Sequence, residues 1–493
     1  MAQKAFLALR FFHDTPVHRH APSFMMSGSS AAWPRGPENM NIKTLAFISL
    51  LAFAPLSFAD LPTVVENLNP KPPRIVVRNG PSRLMLVDGP PVLTEIPATQ
   101  LSFVVNTDWT VFRDGNSQGW YILDGENWLY SNLFSSGDWR AITDLPRDFL
   151  TLQVNSDWPQ VARALPSRKP VDEPLPIVIS YEPTELIVVE GEMQFETIGG
   201  GGLQYVSNTD RDLFFFDGRY YYLAAGRWFA TKDVKRKWYA VKQLPRVFAE
   251  IPEGHPRGRV LTAVPGTPAA VEAAREAARP QRTVVASGEG DDITVPWIGE
   301  PSFTPIEGTP LRRGENTPFQ VIQHNNFFYL CHGGAWYSSS RPDGPWGAAR
   351  EVPEAIYTIP ATDPAFNVTF VKLDAFDDSS GRAAYVATSG YYSRYYDGSK
   401  MVYGTGWYYP GYHRGYAYWR YPWTYGHHGP WGAYYPYHHH SSETYDVTRR
   451  ESDWQWDLDG GKRKVYRYGP QHNVVGGDYV LPSSDKPGAG GRD

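Results

Sequence analysis

The sequence predicts a mostly β protein: three tandem antiparallel β repeats, one connector helix and a Tyr/Gly/His-rich C-terminal region. Three observations carry this reading. The first is internal repetition, which governs every later inference about fold. One copy holds Asn106-Thr107, Trp128, Trp139, Leu145-Pro146, Phe149 and Val161. The next holds Asn208-Thr209, Trp228, Trp238, Leu244-Pro245, Phe248 and Val260, and the last Asn316-Thr317, Trp336, Trp346, Val352-Pro353, Ile356 and Val368. The step from the second Trp to the Pro is seven residues in every copy (139 to 146, 238 to 245, 346 to 353), and from that Pro to the Val fifteen (146 to 161, 245 to 260, 353 to 368). The second observation is the recurrence of short β-branched and aromatic runs bounded by Gly and Pro, the signature of strands. The third is that a single segment carries helix start and stop signals.

Taken in order, residues 40–59 have the three parts of a secretory signal: a basic start at Lys43, an apolar run over 45–58, and Ser57-Phe58-Ala59 before Asp60. Residues 1–39 are read as a spurious or leader segment, with an organelle transit peptide as the alternative. The mature chain is expected to begin near Asp60, outside the cytoplasm, with no transmembrane span, because the apolar run is short for a bilayer.

Repeat 1 is placed at 72–167, repeat 2 at 175–267 and repeat 3 at 292–376. Each repeat is expected to open with a pair of strand-like runs, 75–77 and 84–87 in repeat 1 and 177–179 and 186–189 in repeat 2. A hairpin-like element follows, turning at Pro97-Ala98-Thr99, at 199–202 and at Glu307-Gly308-Thr309. The four glycines of 199–202 therefore read as a turn and not as a phosphate cradle, since no helix follows them. The core of each repeat reads as a meander. In repeat 2 it runs through 213–216, an Asp217-Gly218 hairpin turn, 220–224, Trp228-Phe229 and 238–241. An irregular or one-turn helical crossover is expected over 244–252, then a last strand over 260–264. Thr267 as N-cap, Pro268 at the first helical position and Pro280 as a stop predict the connector helix over 268–280. Beyond 376 an aromatic region extends to 482, with hairpins expected around Asp397-Gly398 and between 454–456 and Val465-Tyr466; 483–493 reads as a disordered tail. The repeats are expected either as separate sheets or as a propeller-like ring to which each contributes two blades.

Composition limits function. Hydrophobic residues make up 42% and charged residues 20%, which suits folded domains, and a net charge of −5 argues against a nucleic-acid binder. The single cysteine, Cys331, excludes an intrachain disulfide framework and reads as a small buried residue. No GxSxG, HExxH, P-loop or GxGxxG pattern is present, and no acidic pair stands out by position as a glycosidase dyad. The chain is therefore expected to be no enzyme and to need no cofactor. His427-His428 and 438–440 lie in Gly/Pro-rich chain without ligand spacing, so no metal site is expected.

The stretches PTELIVVEGEMQFETI, LQYVSNT, YYYLAAGRWF, VLTAVPGTPAAVEAA, SFTPIEGTPL, GGAWYSSSRPDGPW, AIYTIPATDP and VYGTGWYYPG resemble secreted bacterial proteins of a carbohydrate-binding family V/XII-like type. The resemblance spans about 72–409. Repeat 1 departs most, with Ser136-Gly137-Asp138-Trp139 in place of Gly344-Pro345-Trp346. It implies secretion and glycan recognition through aromatic side chains.

The aromatic fraction, 15% with 17 Trp and 31 Tyr, supplies the candidates. An aromatic face is apolar with polar-tolerant edges, which suits a sugar ring. On that ground Trp128, Trp228, Trp336, Tyr221, Trp407, Trp419 and Trp423 are the expected ligand-binding residues. For the repeat Trp residues, a second reading stands beside it: a Trp in every copy can be the core of a small sheet, as can Trp139, Trp238 and Trp346. Tyr220, Tyr221 and Tyr222 should alternate across the sheet, one side in and one out. The expected partners are glycan or peptidoglycan, in a non-catalytic binding protein of the periplasm or cell exterior. The alternative is a structural or assembly protein that binds other envelope proteins.

Overall fold

The computed structural model divides the chain into Met1–Leu56 and Ser57–Asp493. The residues it describes are 61–107, 109–153, 158–168, 173–415, 417–419 and the backbone of two strands, 463–466 and 478–481. The expected leader, signal segment and tail lie outside the described residues, as do the histidines of 427–428 and 438–440.

Each repeat folds into one six-stranded antiparallel meander. Sheet 1 contains Leu93–Glu95, Leu101–Val104, Thr110–Asp114, Trp120–Asp124, Asn127–Ser131 and Arg140–Ala141. Sheet 2 contains Phe195–Ile198, Leu203–Val206, Leu213–Phe216, Arg219–Ala224, Arg227–Thr231 and Tyr239–Ala240. Sheet 3 contains Phe303–Pro305, Arg312–Gly314, Gln320–His324, Phe327–His332, Ala335–Ser339 and Gly347–Ala348. Spatial order follows chain order, so short turns suffice. Asp217 (φ 46°) and Gly218 (φ 68°) both sit in the left-handed region, the geometry whose twist matches an antiparallel pair. Each repeat is one open sheet, as the first of the two expected arrangements has it, and the propeller-like alternative gains no support.

The opening runs of repeats 1 and 2 pair with each other across the two repeats. Arg74–Arg78 lies parallel to Thr184–Val188, and Arg83–Leu86 lies parallel to Ile177–Ser180. The first run of each repeat thus pairs with the second run of the other, so repeats 1 and 2 interlock reciprocally. Parallel strands need a long connection, and repeat 1 itself provides it.

Both faces of sheet 2 are covered. Tyr221 shares a core with Trp228, Phe248 and Val260, whereas Tyr222 packs with Phe229, Trp238 and Ile187. The alternation of the tyrosines is real, but both sides point inward. The crossover covers one face and the opening strands the other.

The crossover is a pair of short helical turns. In repeat 2 these are 3-10 turns at Arg246–Glu250 and Gly258–Ala263; in repeat 3 they are Glu354–Thr358 and Phe366–Phe370. Repeat 1 has α1 (Phe149–Leu152) and α2 (Pro159–Arg163) instead. The strand expected over 260–264 is therefore a helical turn. Val260, Leu261 and Ala263 are all buried there, and the Thr262 hydroxyl donates to the Arg259 carbonyl at 3.0 Å. Helix α3 (Pro268–Ala278) begins as expected, with Thr267 Oγ1 accepting from the Ala270 amide.

After α3, Gln281–Val285 pairs with Arg382–Ala387, which pairs in turn with Val371–Asp377. The start of the aromatic region is thus part of the folded body. Its hairpin, Arg394–Tyr396 with Met401–Tyr403, docks on sheet 2. Tyr403 N donates to Ala225 O at 3.0 Å, and the Arg227 guanidinium donates to Tyr403 O and Gly404 O at 2.8 Å each. Near the C-terminus Arg463–Tyr466 pairs with Asp478–Leu481; residues 454–456 of the expected hairpin lie outside the described residues.

Candidate functional site

The repeat tryptophans were the leading candidates, and the structure places them in the cores. Trp128, Trp228 and Trp336 are 0%, 4% and 0% exposed. Each indole N–H donates to a backbone carbonyl at the end of the crossover: Ala164 (3.0 Å), Ala263 (2.8 Å) and Val371 (2.8 Å). Phe149, Phe248 and Ile356 share these cores with Val161, Val260 and Val368. The constant fifteen-residue interval is therefore the length of crossover that covers the indole. A ring enclosed in this way has no face left for a sugar. Trp139, Trp238 and Trp346 are likewise buried.

The Asn-Thr pair is also structural. Asn106 Nδ2 donates to Asp88 O and Pro90 O while its Oδ1 accepts from Val92 N. Asn208 makes the same three bonds with Glu190, Glu192 and Gln194, and Asn316 with Ile298, Glu300 and Ser302. Each amide fastens the incoming loop to its sheet. Thr107 and Thr209 donate to Leu86 O and Val188 O alongside.

Of the other candidates, Trp407 is half-buried and its indole N–H donates to Asn67 O at 2.8 Å. Trp419 lies in the strand Ala417–Trp419, and Trp423 lies outside the described residues. Tyr221 is 7% exposed, yet it borders an open groove of about 860 Å³ on sheet 2. Arg219, Lys232, Asp233, Arg236, Lys237, Tyr239 and Gln243 complete its rim, with Ala230, Ala240 and Val241 in its wall. The volume falls in the range of ligand pockets.

Strand register defines what borders the groove. Tyr221, Ala230 and Tyr239 are direct cross-strand partners and form one rung. In repeat 1 the same rung is Tyr121, Tyr130 and Arg140, and in repeat 3 Tyr329, Ser338 and Gly347. In repeat 1 the Tyr130 ring lies across position 119, where an added Cβ on Gly119 would meet it at 2.5 Å, and the Arg140 guanidinium lies 5.1 Å from the ring centre. Repeat 2 has Ala230 in place of that tyrosine, beside Arg219; repeat 3 has the small Ser338 there too but Gly347 in place of Tyr239, so only repeat 2 sets a tyrosine ring beside a small central residue. Tyr239 is 61% exposed, with the Lys237 ammonium 5.6 Å from its ring centre. Sequence reasoning found Tyr221 but missed Ala230 and Tyr239, because the rung exists only through strand pairing.

A second cluster has the composition of a reactive site but a structural role. Tyr205 donates to Glu196 Oε2 at 2.5 Å, the His255 ring meets Tyr205 edge-on, and the Arg257 guanidinium lies 5.3 Å from the Tyr205 ring centre. Accepting from Tyr205 holds the Glu196 carboxyl below its ordinary range, which makes it a weaker base. Behind it Asp212 is buried between Arg257 (3.3 Å) and Arg259 (2.7 Å); burial pushes its carboxyl up, opposed by Arg259 and Arg257. The same corner holds Phe103 against Trp158 in repeat 1 and the Arg313–Asp363 ion pair in repeat 3. Three chemistries at one packing position point to a filled corner and not to a reaction centre. Among the described residues no group of His, Cys, Asp and Glu could hold a metal ion, and no helix is long and apolar enough to cross a membrane.

Comparison with protein families, with curated proteins and with solved structures finds no match to this chain.

Proposed function

We propose that this chain is a non-catalytic binding protein of the periplasm or cell exterior, and that the groove on sheet 2 holds a glycan. The observation that carries the reading is the Tyr221–Ala230–Tyr239 rung, whose small central residue opens a groove beside a 61%-exposed tyrosine ring. An aromatic ring beside charged and amide side chains can meet both the C–H face and the hydroxyls of a sugar. The signal pattern at 40–59 and the resemblance to secreted carbohydrate-binding proteins support it.

The test is retention of the mature chain on peptidoglycan and on soluble glycans, compared with a double variant, Arg219→Gly with Ala230→Tyr. That pair copies Gly119 and Tyr130 of repeat 1, so it should close the groove within a packing this fold already accepts. Retention should be lost while the circular dichroism spectrum stays that of the parent. Equal retention would remove the groove from the function and favour assembly with envelope proteins.

A further inference from the structure

The groove carries a charge pattern that the fold does not require. Its rim holds Arg219, Lys232, Arg236 and Lys237 against the single acid Asp233, in a chain of net charge −5. Asp233 is already paired with Arg236 at 3.3 Å, and Arg219 and Lys232 form no ion pair among the described residues. Counted from the strand register and from the second Trp, the matching positions in repeat 1 are Gly119, Asn132, Gly137 and Asp138. In repeat 3 they are Phe327, Ser340, Gly344 and Pro345. Both repeats build the same six-stranded sheet with no cation at these positions. The four cations of repeat 2 are thus not shared by the other sheets; with Arg236 on Asp233 and Lys237 over Tyr239, Arg219 and Lys232 are left without an ion pair among the described residues, open to an anionic ligand.

Resting on the glycan reading above, we propose that the ligand is an acidic glycan, a polysaccharide whose sugars bear carboxylates. Arg219 offers a planar fork that matches a carboxylate. Lys232 and Lys237 supply compact positive charge on the same rim, and Tyr239 offers the ring face that the Lys237 ammonium does not cover. An acidic peptide would use the same cations but would leave the tyrosine without a matching ring.

The test uses polygalacturonate as the acidic probe, its methyl-esterified form as the same backbone without charge, and poly-glutamate as the peptide control. The mature chain should bind polygalacturonate at least about tenfold more tightly than the ester, and an Arg219→Gln/Lys232→Gln variant should lose about that factor. Raising ionic strength from about 0.01 M to about 0.15 M shortens the screening length from roughly 30 to 8 Å and should weaken binding further. Both residues are exposed, so the variant should keep the parent melting temperature. Equal binding of acid and ester would overturn the charge selection and leave glycan binding standing. Binding of neither would overturn both proposals. Poly-glutamate bound as tightly as polygalacturonate would overturn the sugar assignment in favour of a peptide partner.

Discussion

Replacing Trp228 separates a core residue from a ligand-stacking one. The indole is 4% exposed, its N–H donates to Ala263 O at 2.8 Å, and its ring meets Phe248 at 5.0 Å and Phe214 at 5.7 Å between centres. Trp228→Ala removes the buried ring and leaves a cavity, at about 3–5 kcal/mol. The two aromatic pairs, each worth about 0.5–1.5 kcal/mol beyond burial, place it toward the upper end. Trp228→Phe keeps most of the ring but leaves the Ala263 carbonyl without its donor, a loss of roughly 1–3 kcal/mol. If repeat 2 unfolds as a unit, each kcal/mol lowers its midpoint by roughly 4–8 °C. Trp128→Ala should match Trp228→Ala, since Phe149 lies 4.9 Å from that indole. Trp336→Ala should lose less, because Ile356 replaces the phenylalanine in its core. Urea and thermal unfolding of these variants, followed by circular dichroism beside a glycan-retention assay, gives the comparison. A Trp228→Ala protein within about 0.5 kcal/mol of the parent, the range of ordinary surface substitutions, would refute the core assignment. Lost glycan retention at unchanged stability would instead return the indole to the binding site.

Other consequences follow from the same contacts. Asn316 is 1% exposed and Asn208 half-buried, with the same three bonds, so Asn316→Ala should destabilise by more than Asn208→Ala in urea titrations; equal losses would show that burial of the freed backbone groups does not matter. Gly226 has φ +75°, and a Cβ there would meet Met401 O at 2.3 Å, so Gly226→Ala should loosen the docked hairpin and speed amide exchange over Met401–Tyr403, with unchanged exchange counting against that contact. Burial pushes the His332 imidazole below its ordinary range, where it stacks on Phe319 at 5.5 Å. The unfolded chain binds the proton that the native site excludes. Stability should therefore be full above the ordinary histidine range, near ~6.5, and fall as pH drops below it. His332→Phe should flatten that acid limb, and an unchanged limb would show that His332 does not cause it.

What the sequence determined by itself was local or periodic. The Asp217-Gly218 turn follows from two residues that tolerate positive φ, and the start of α3 from Thr267 and Pro268. The meander and crossover in each copy follow from intervals that the chain keeps constant, because a crossover of fixed length must reach back over one indole. Other features depended on which distant segments meet. The opening runs are equally β-prone whether paired within a repeat or between repeats, and only the assembled edges select the reciprocal parallel ladders. The run at 260–264 carries β-branched residues, yet it sits inside a crossover with no sheet edge to join, so it coils into a 3-10 turn. The groove is a matter of register. Ala230 is an unremarked small residue in the chain, and it becomes an opening because pairing sets it between Tyr221 and Tyr239, where repeat 1 places a tyrosine. Sequence encodes dihedral preference and spacing within a few turns. Which faces are covered, and which are left open, is decided by contacts between residues that only the fold brings together.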